Sequence, residues 1–157
     1  MRIDCSVVIE APRQEVWDYV TDPARIIEFM EGLTRWEVAD DNVGHKQRRR
    51  MDRGLGARYR VLIRVGSADV GGLVEVVEWN PEGGNMAWSS VTGVDQRGRW
   101  RVRELAPDRT RLHFRFAYGV AGGGISGIVA ERVAAVPLRR RFRASLRNAK
   151  RALETRA

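Results

Sequence analysis

The last quarter of the chain, residues 122–157, carries the pattern that most constrains the fold. Apolar residues recur there close to every 3.6 positions, the period of an α-helix. They are Ile128, Ala135, Leu138, Phe142, Leu146, Ala149 and Leu153. The pattern predicts one long C-terminal helix with an apolar stripe along one side. Because such a stripe needs another layer of protein to cover it, the rest of the chain must supply that layer.

The chain upstream of this helix is typical of short antiparallel strands separated by turns. Apolar and polar residues alternate over 2–9, 58–65 and 111–118, which is the period of a half-buried strand. Two short helices, from Pro12 to Val20 and from Ala24 to Met30, are predicted after the first strand. The remaining predicted strands are 33–39, 46–51, 70–79, 86–92 and 97–104. For the strand 70–79 the sequence leaves both registers possible.

One face of the predicted sheet is aromatic and aliphatic, and the other is rich in arginine. An antiparallel sheet commonly leaves one face in water, so the arginine face requires no ligand. A strongly twisted sheet wrapped around the long helix would leave a cavity between them, where ligand sites are common. The residues expected to serve there as core or cavity wall are Trp36, Tyr59, Val61, Ile63, Trp88, Ser90, Trp100, Phe114, Phe116, Tyr118, Ile128, Arg132 and Phe142.

The composition favours one self-sufficient domain over residues 1–157, since a chain of this length buries a sizeable core without staples. The lone Cys5 cannot form an intramolecular disulfide, and no Cys/His cluster has the spacing of a metal site. We therefore expect no metal and no cofactor. The start of the chain lacks a signal peptide and no run is long enough to span a membrane, so a soluble cytoplasmic protein is expected.

The net charge of +8 is concentrated in the C-terminal helix, which carries nine cations and two glutamates from residue 125 onward. A basic helix of this kind is able to contact nucleic acid or an anionic membrane surface. The same arginines also fit the solvated back of an amphipathic helix, with the last-turn cations favoured by the helix dipole. The sequence leaves both interpretations open.

The N-terminal residues resemble the opening of a known protein family. The run from Val7 to Pro23, with Ala11-Pro12 before a Val16-Trp17 pair and an Asp22-Pro23 stop, resembles the opening of the SRPBCC superfamily, also called START-like or polyketide cyclase/dehydrase. The stretch 76–81 and the long terminal helix are similar to the same family. The resemblance implies an α+β helix-grip fold, in which a seven-stranded antiparallel sheet wraps around a C-terminal helix and encloses a hydrophobic cavity.

Candidate catalytic residues are few. Acid–base catalysis needs a titratable group in a pocket that shifts its pKa. Glu104, Tyr59, Tyr118, Ser90 and Arg132 are the candidates on the inferred inner face, and they form no recognisable constellation. Glu104 lies near a strand end, where a surface carboxylate is the simpler interpretation. The two histidines fall elsewhere, on the arginine face and in a polar turn, at His113 and His45.

The glycines at 122–127 match the dinucleotide-binding spacing G-x-G-x-x-G. The chain ends after the following helix, so the βαβ unit of a dinucleotide fold cannot close. A glycine hinge is the better interpretation, and Pro137 is expected to kink the helix because it removes a backbone donor. Hinge and kink together suggest a gate over the cavity.

Three functions remain open from the sequence. The first is a carrier or chaperone that binds a hydrophobic or aromatic small molecule, such as a lipid, quinone or polyketide-like compound. The second is a polyketide cyclase or aromatase that acts by holding its substrate in a bent conformation. The third is an interaction module that uses the basic helix and Arg48-Arg49-Arg50 on nucleic acid, the ribosome or a membrane.

Overall fold

The computed structural model describes residues 2–39, 51–119 and 125–156, with the side chains of residues 125–137 outside the description. The described residues form one antiparallel sheet of seven strands, in the order β1-β7-β6-β5-β4-β3-β2. Its strands are β1 (Arg2–Ile9), β2 (Leu33–Val38), β3 (Arg58–Val65), β4 (Ala68–Asn80), β5 (Asn85–Ser90), β6 (Gln96–Ala106) and β7 (Arg109–Tyr118). The helices are α1 (Arg13–Val20), α2 (Ile26–Phe29) and α3 (Ile125–Glu154). The predicted helix-grip α+β fold is confirmed.

The structure shows which of the two possible registers β4 adopts. Val74 and Val76 are buried on the inner face, and the register shifts between Val76 and Glu78. Val77 follows Val76 on the opposite face and is 51% exposed, and the bulge changes the facing of the residues after it. An extra residue in one strand re-aims the side chains that follow it, which is why strict alternation did not fix the register.

The buried stripe of α3 packs on the inner face of the sheet. Leu138, Phe142, Leu146, Ala149 and Leu153 are all buried, as the helical period predicts. Their neighbours in the core come from every strand and from the two short helices. The stripe is confirmed from Leu138 onward, and its earlier members lie outside the described side chains.

Polar contacts attach α3 to the edge of the sheet. Because β1 is an edge strand, part of its backbone has no neighbouring strand. Lys150 Nζ donates to the Val8 carbonyl at 2.7 Å, and the Glu10 N–H donates to Glu154 Oε1 at 3.0 Å. The hydrogen bond from Lys150 lowers the pKa of Glu154, so this carboxylate stays ionised at neutral pH. These contacts fix the helix along β1.

A second set of contacts joins α3 to the end of α2. The Glu31 N–H donates to Ser145 Oγ at 2.8 Å, and Asn148 Nδ2 donates to the Phe29 carbonyl at 3.2 Å. Arg141 donates to the Arg64 carbonyl on β3. Backbone groups at a helix end need such partners because the helix itself leaves them unpaired.

Some outward arginines of the sheet are paired with glutamates across strands. Arg58 pairs with Glu75 at 2.9 Å, and Arg99 pairs with Glu78 at 2.8 Å. Opposite charges on neighbouring strands stabilise a sheet face modestly. Arg58 and Arg99 on this outer face are therefore accounted for by ion pairs within the sheet and need no ligand.

Several predicted features differ or fall outside the described residues. The second helix is one short turn, Ile26–Phe29, because Pro23 and the Asp22 turn delay its start. The predicted strand 46–51 lies outside the described residues except for Met51, which is not in a strand. The glycine hinge at 122–124 also lies outside them, and the kink at Pro137 stays a prediction. Within the described part of the chain, no helix is both long and apolar enough to cross a membrane.

Candidate functional site

A cavity of about 650 Å³ lies at one end of the sheet. Its wall is formed by the β3–β4 hairpin, the loop 91–95 between β5 and β6, the end of β7, and Leu138 of α3. The apolar side chains that line it include Ile63, Val65, Val70, Val94, Phe116 and Leu138. A concave, mostly apolar site of this volume is the usual size for a small organic ligand.

Glycines let the backbone itself form part of this wall. A Cβ on Gly71 would lie 1.9 Å from the Val61 carbonyl oxygen, and one on Gly93 would lie 2.2 Å from the Gly71 oxygen. Gly93 also has a φ of +84°, which side chains rarely adopt. The Val94 N–H donates to the Gly71 carbonyl at 3.3 Å. The loop 91–95 thus lies directly against β4 and closes one side of the cavity.

Three polar residues line the described part of the cavity: Asp69, Gln96 and Tyr118. Asp69 is exposed and forms an ion pair with Arg64 at 2.8 Å. Gln96 and Tyr118 are direct partners across β6 and β7, so they lie side by side on the inner face. Gln96 is only 4% exposed, and its backbone N–H donates to Ser90 Oγ at 3.2 Å.

The predicted site residues divide into wall and core. Ile63, Phe116 and Tyr118 line the cavity, and Ser90 contacts Gln96 beside it. The fully buried core residues among the predicted set are Tyr59, Val61, Trp88, Trp100, Phe114 and Phe142. Trp36 is also buried but lines a different cavity. The side chains of Ile128 and Arg132 lie outside the description. Ligand binding by any of these residues stays a prediction.

Sequence reasoning missed several wall residues, of which Gln96 is the most informative. It lies in phase with Gly98, Trp100 and Val102, which are buried on the inner face of β6. Extending the alternation by one step toward the N-terminus finds it. The glycines at 71 and 93 and the loop residue Val94 carry no comparable signal, because they reach the cavity through a tertiary contact between a loop and a strand.

A second cavity, of about 510 Å³, lies at the opposite end of β3. It is lined by Asp22, Pro23, Ala24, Trp36, Val38, Asp52 and Arg53. Close to it, the Tyr59 hydroxyl donates to the Asp52 carbonyl at 2.8 Å. Burial raises the pKa of Tyr59 to about 12, so its phenol is neutral at physiological pH and is unsuited to act as a base.

Two indole N–H groups are buried without an acceptor among the described residues. They are Nε1 of Trp88 and Nε1 of Trp100. Trp88 packs edge-on against Trp36 at 5.3 Å, and Trp100 packs against Phe114 at 4.4 Å. A buried donor without a partner typically costs about 1–3 kcal/mol. The ring contacts to Trp36 and Phe114 are the interactions that the described residues provide to these two indoles.

Glu104 and His113 do not line the main cavity. Glu104 is exposed near the end of β6. His113 lies on the outer face, where its Nε2 is 3.3 Å from Asp4 Oδ1. Partial burial lowers the pKa of His113 despite the Asp4 carboxylate nearby. His45 lies outside the described residues.

The cations of α3 also fall into two groups. Arg141 and Lys150 bond to backbone carbonyls of the sheet, and Arg156, two residues beyond the end of α3, has its guanidinium 5.0 Å from the centre of the Tyr19 ring. The exposed group consists of Arg139, Arg140, Arg143, Arg147 and Arg151. The predicted contact with an anionic partner stays a prediction.

The chain belongs to the polyketide cyclase/dehydrase and lipid transport family, since the family profile matches residues 1–154. This is the SRPBCC family predicted from the N-terminal motif. Its members bind hydrophobic ligands or act as polyketide cyclases. No curated protein sequence matches the chain.

Solved structures share the fold over the whole chain. A protein from Thermus thermophilus superposes with a TM-score of 0.78 at 17% identity, covering 100% of this chain and 99% of its own. The Zhui aromatase/cyclase from a Streptomyces species gives a TM-score of 0.78 at 18% identity, covering 99% and 94%. The di-domain aromatase/cyclase BexL gives 0.67 at 15% identity, covering 96% of this chain and 46% of that one. At these identities the likeness shows the fold alone.

Proposed function

We propose that this protein binds a hydrophobic or aromatic small molecule in the main cavity, as a carrier or chaperone. The observation that carries the proposal is the cavity itself, about 650 Å³ in volume and walled mainly by apolar side chains. Apolar surface that a ligand removes from water stabilises the complex by roughly 25 cal/mol per Å² before the costs of association. Lipids, quinones and polyketide-like compounds are the ligand classes with enough apolar surface.

The aromatic residues of the wall favour a ring-containing ligand. Phe116 and Tyr118 lie next to each other on β7, with ring centres 6.0 Å apart and a tilt of 32°. Offset packing against such rings adds about 0.5–1.5 kcal/mol beyond the area buried. A flat ligand would lie against these rings with its opposite side toward Ile63 and Val70.

The second candidate is a polyketide cyclase that acts in the same cavity by positioning. The family includes polyketide cyclases, and two aromatase/cyclases are among the solved structures of this fold. One observation disfavours a cyclase: Asp69, the carboxylate of the described cavity wall, is already paired with Arg64. The two functions differ in what they release. A carrier returns its ligand unchanged, whereas a cyclase returns a ring-closed product that has lost water, which mass spectrometry of the recovered ligand distinguishes.

Two valines on the loop 91–95 provide a matched test of the binding site. Val94 lines the cavity, whereas Val91 is 44% exposed and does not. Val94→Trp places an indole in the cavity and is expected to weaken binding of 9-fluorenone, a rigid three-ring ketone, by about tenfold or more, equivalent to at least about 1.4 kcal/mol. Val91→Trp is expected to leave the affinity unchanged. Equilibrium dialysis measures both, and thermal melts check that both variants fold.

The proposal fails if wild-type protein does not bind 9-fluorenone or any other member of a panel of lipids, quinones and polycyclic ketones. Binding that is equally strong in Val94→Trp and wild type would place the ligand outside this cavity. Binding weakened as much by Val91→Trp as by Val94→Trp would indicate a general effect of the loop on the protein.

A further inference from the structure

We infer that Gln96 orients the bound ligand by donating a hydrogen bond from its side-chain amide to a carbonyl oxygen. The inference rests on the proposed ligand-binding function and deepens it. It narrows the ligand class from hydrophobic molecules in general to flat molecules that carry a carbonyl group, such as polycyclic ketones and quinones.

The position of Gln96 supports this role. It is the first residue of β6 and lies on the inner face, in phase with Gly98 and Trp100. It is 96% buried, and it is one of the residues that line the cavity. Glutamine is mostly found at protein surfaces, and a buried one is normally hydrogen-bonded.

The side-chain amide of Gln96 has no hydrogen-bond partner among the described residues. The contact it makes there uses the backbone N–H, which donates to Ser90 Oγ. That contact fixes the start of β6 and leaves the two amide donors and the amide oxygen available. Neither polar atom of this side chain is among the fully buried atoms that lack a partner, so both remain accessible. A ligand carbonyl oxygen is therefore able to accept a hydrogen bond from the amide.

The surroundings of Gln96 explain why one hydrogen bond there has a directing effect. Phe116 lies diagonally across β7, and Tyr118 lies directly opposite Gln96. The hydrophobic wall on the far side holds Ile63 and Val70. Asp69, the charged group of the described wall, is engaged with Arg64 and accepts hydrogen bonds rather than donating them. Of the three polar side chains of the described wall, Gln96 and Tyr118 carry donors and are paired across the strands, so a carbonyl oxygen held by the Gln96 amide lies beside Tyr118.

Two molecules with the same three-ring skeleton test the inference. Fluorene is a hydrocarbon, and 9-fluorenone differs from it by a single carbonyl group. Wild-type protein is expected to bind 9-fluorenone about fivefold more tightly than fluorene, the effect of one net hydrogen bond of about 1 kcal/mol. In Gln96→Leu, which keeps the side-chain bulk and removes the amide, the two affinities are expected to become equal through loss of 9-fluorenone binding. Arg97→Leu, a neighbouring change on the outer face, is the control and should keep the wild-type ratio.

Equilibrium dialysis gives each affinity, and the outcomes are separable. A preference for 9-fluorenone that persists in Gln96→Leu overturns the inference. Equal affinities in wild type also overturn it, while the proposed ligand-binding function stands. If wild type binds neither probe but binds another member of the panel, the inference falls while the ligand-binding function stands, and if it binds no member of the panel, both fall.

A measurement on unmodified protein guards against a variant that does not fold. In a ¹⁵N-labelled sample, the side-chain amide resonances of Gln96 are expected to shift on addition of 9-fluorenone and to shift much less with fluorene. Equal shifts with both probes, or no shift with 9-fluorenone at saturation, would contradict a hydrogen bond from this amide.

Discussion

Replacing Phe142 by alanine is expected to lower the free energy of unfolding by about 3–5 kcal/mol, the range for removing a buried aromatic ring. Phe142 is 1% exposed and reaches from α3 to the aromatic residues of β7. Its ring packs against Phe114 at 5.1 Å and against Phe116 at 5.2 Å, both edge to face. The lost stability has three sources: the buried area of the ring, its contacts with Phe114 and Phe116, and the cavity that the ring leaves.

Urea unfolding followed by tryptophan fluorescence measures the effect. The matched control is Arg143→Ala, one position further along the same helix and exposed. It is expected to change the free energy of unfolding by less than about 0.5 kcal/mol. A Phe142→Ala variant as stable as Arg143→Ala would show that the helix does not pack on the sheet as described.

Gly98→Ala is expected to lower the free energy of unfolding by about 1–3 kcal/mol, because an added methyl group overpacks the core. A Cβ at this position would lie 2.0 Å from Cζ2 of Trp88, far inside van der Waals contact. The indole has little room to move, since Trp36 packs against it at 5.3 Å and Phe114 at 6.0 Å. A glycine-to-alanine change in a strand without this clash would instead be neutral or stabilising.

A double-mutant cycle isolates the contact between Gly98 and Trp88. In a Trp88→Phe background the smaller ring leaves space over residue 98, so Gly98→Ala should cost much less than in wild type. Coupling between contacting residues is commonly about 0.5–3 kcal/mol. Equal costs in the two backgrounds would mean that the indole does not lie across Gly98.

The fold could be predicted from the sequence because its signals are local and periodic. The stripe through Phe142, Leu146 and Leu153 has the helical period, and the alternation around Tyr59 and Phe114 has the strand period. Each pattern assigns an element and its buried face. Together with the N-terminal motif, they were sufficient for the helix-grip fold.

The cavity wall could be predicted only in part. Aromatic residues of the inner face were expected as core or cavity wall, and Trp88 and Trp100 are buried in the core. Which inner-face residues meet a cavity depends on where the layers separate, and this separation has no sequence period. The cavity lies at the end of the sheet, so residues at strand ends and loops, such as Gln96 and Val94, line it.

The central claim is that a hydrophobic ligand binds in the main cavity, and its location is tested most directly by an NMR titration. Backbone amides of ¹⁵N-labelled protein would be followed as 9-fluorenone is added. The account predicts saturable shifts at Gly71, Gln96 and Gly119, which line the main cavity, and small shifts at Ala24 and Arg53 of the second cavity. Shifts that cluster at the second cavity, or an unchanged spectrum at saturating ligand, would contradict it.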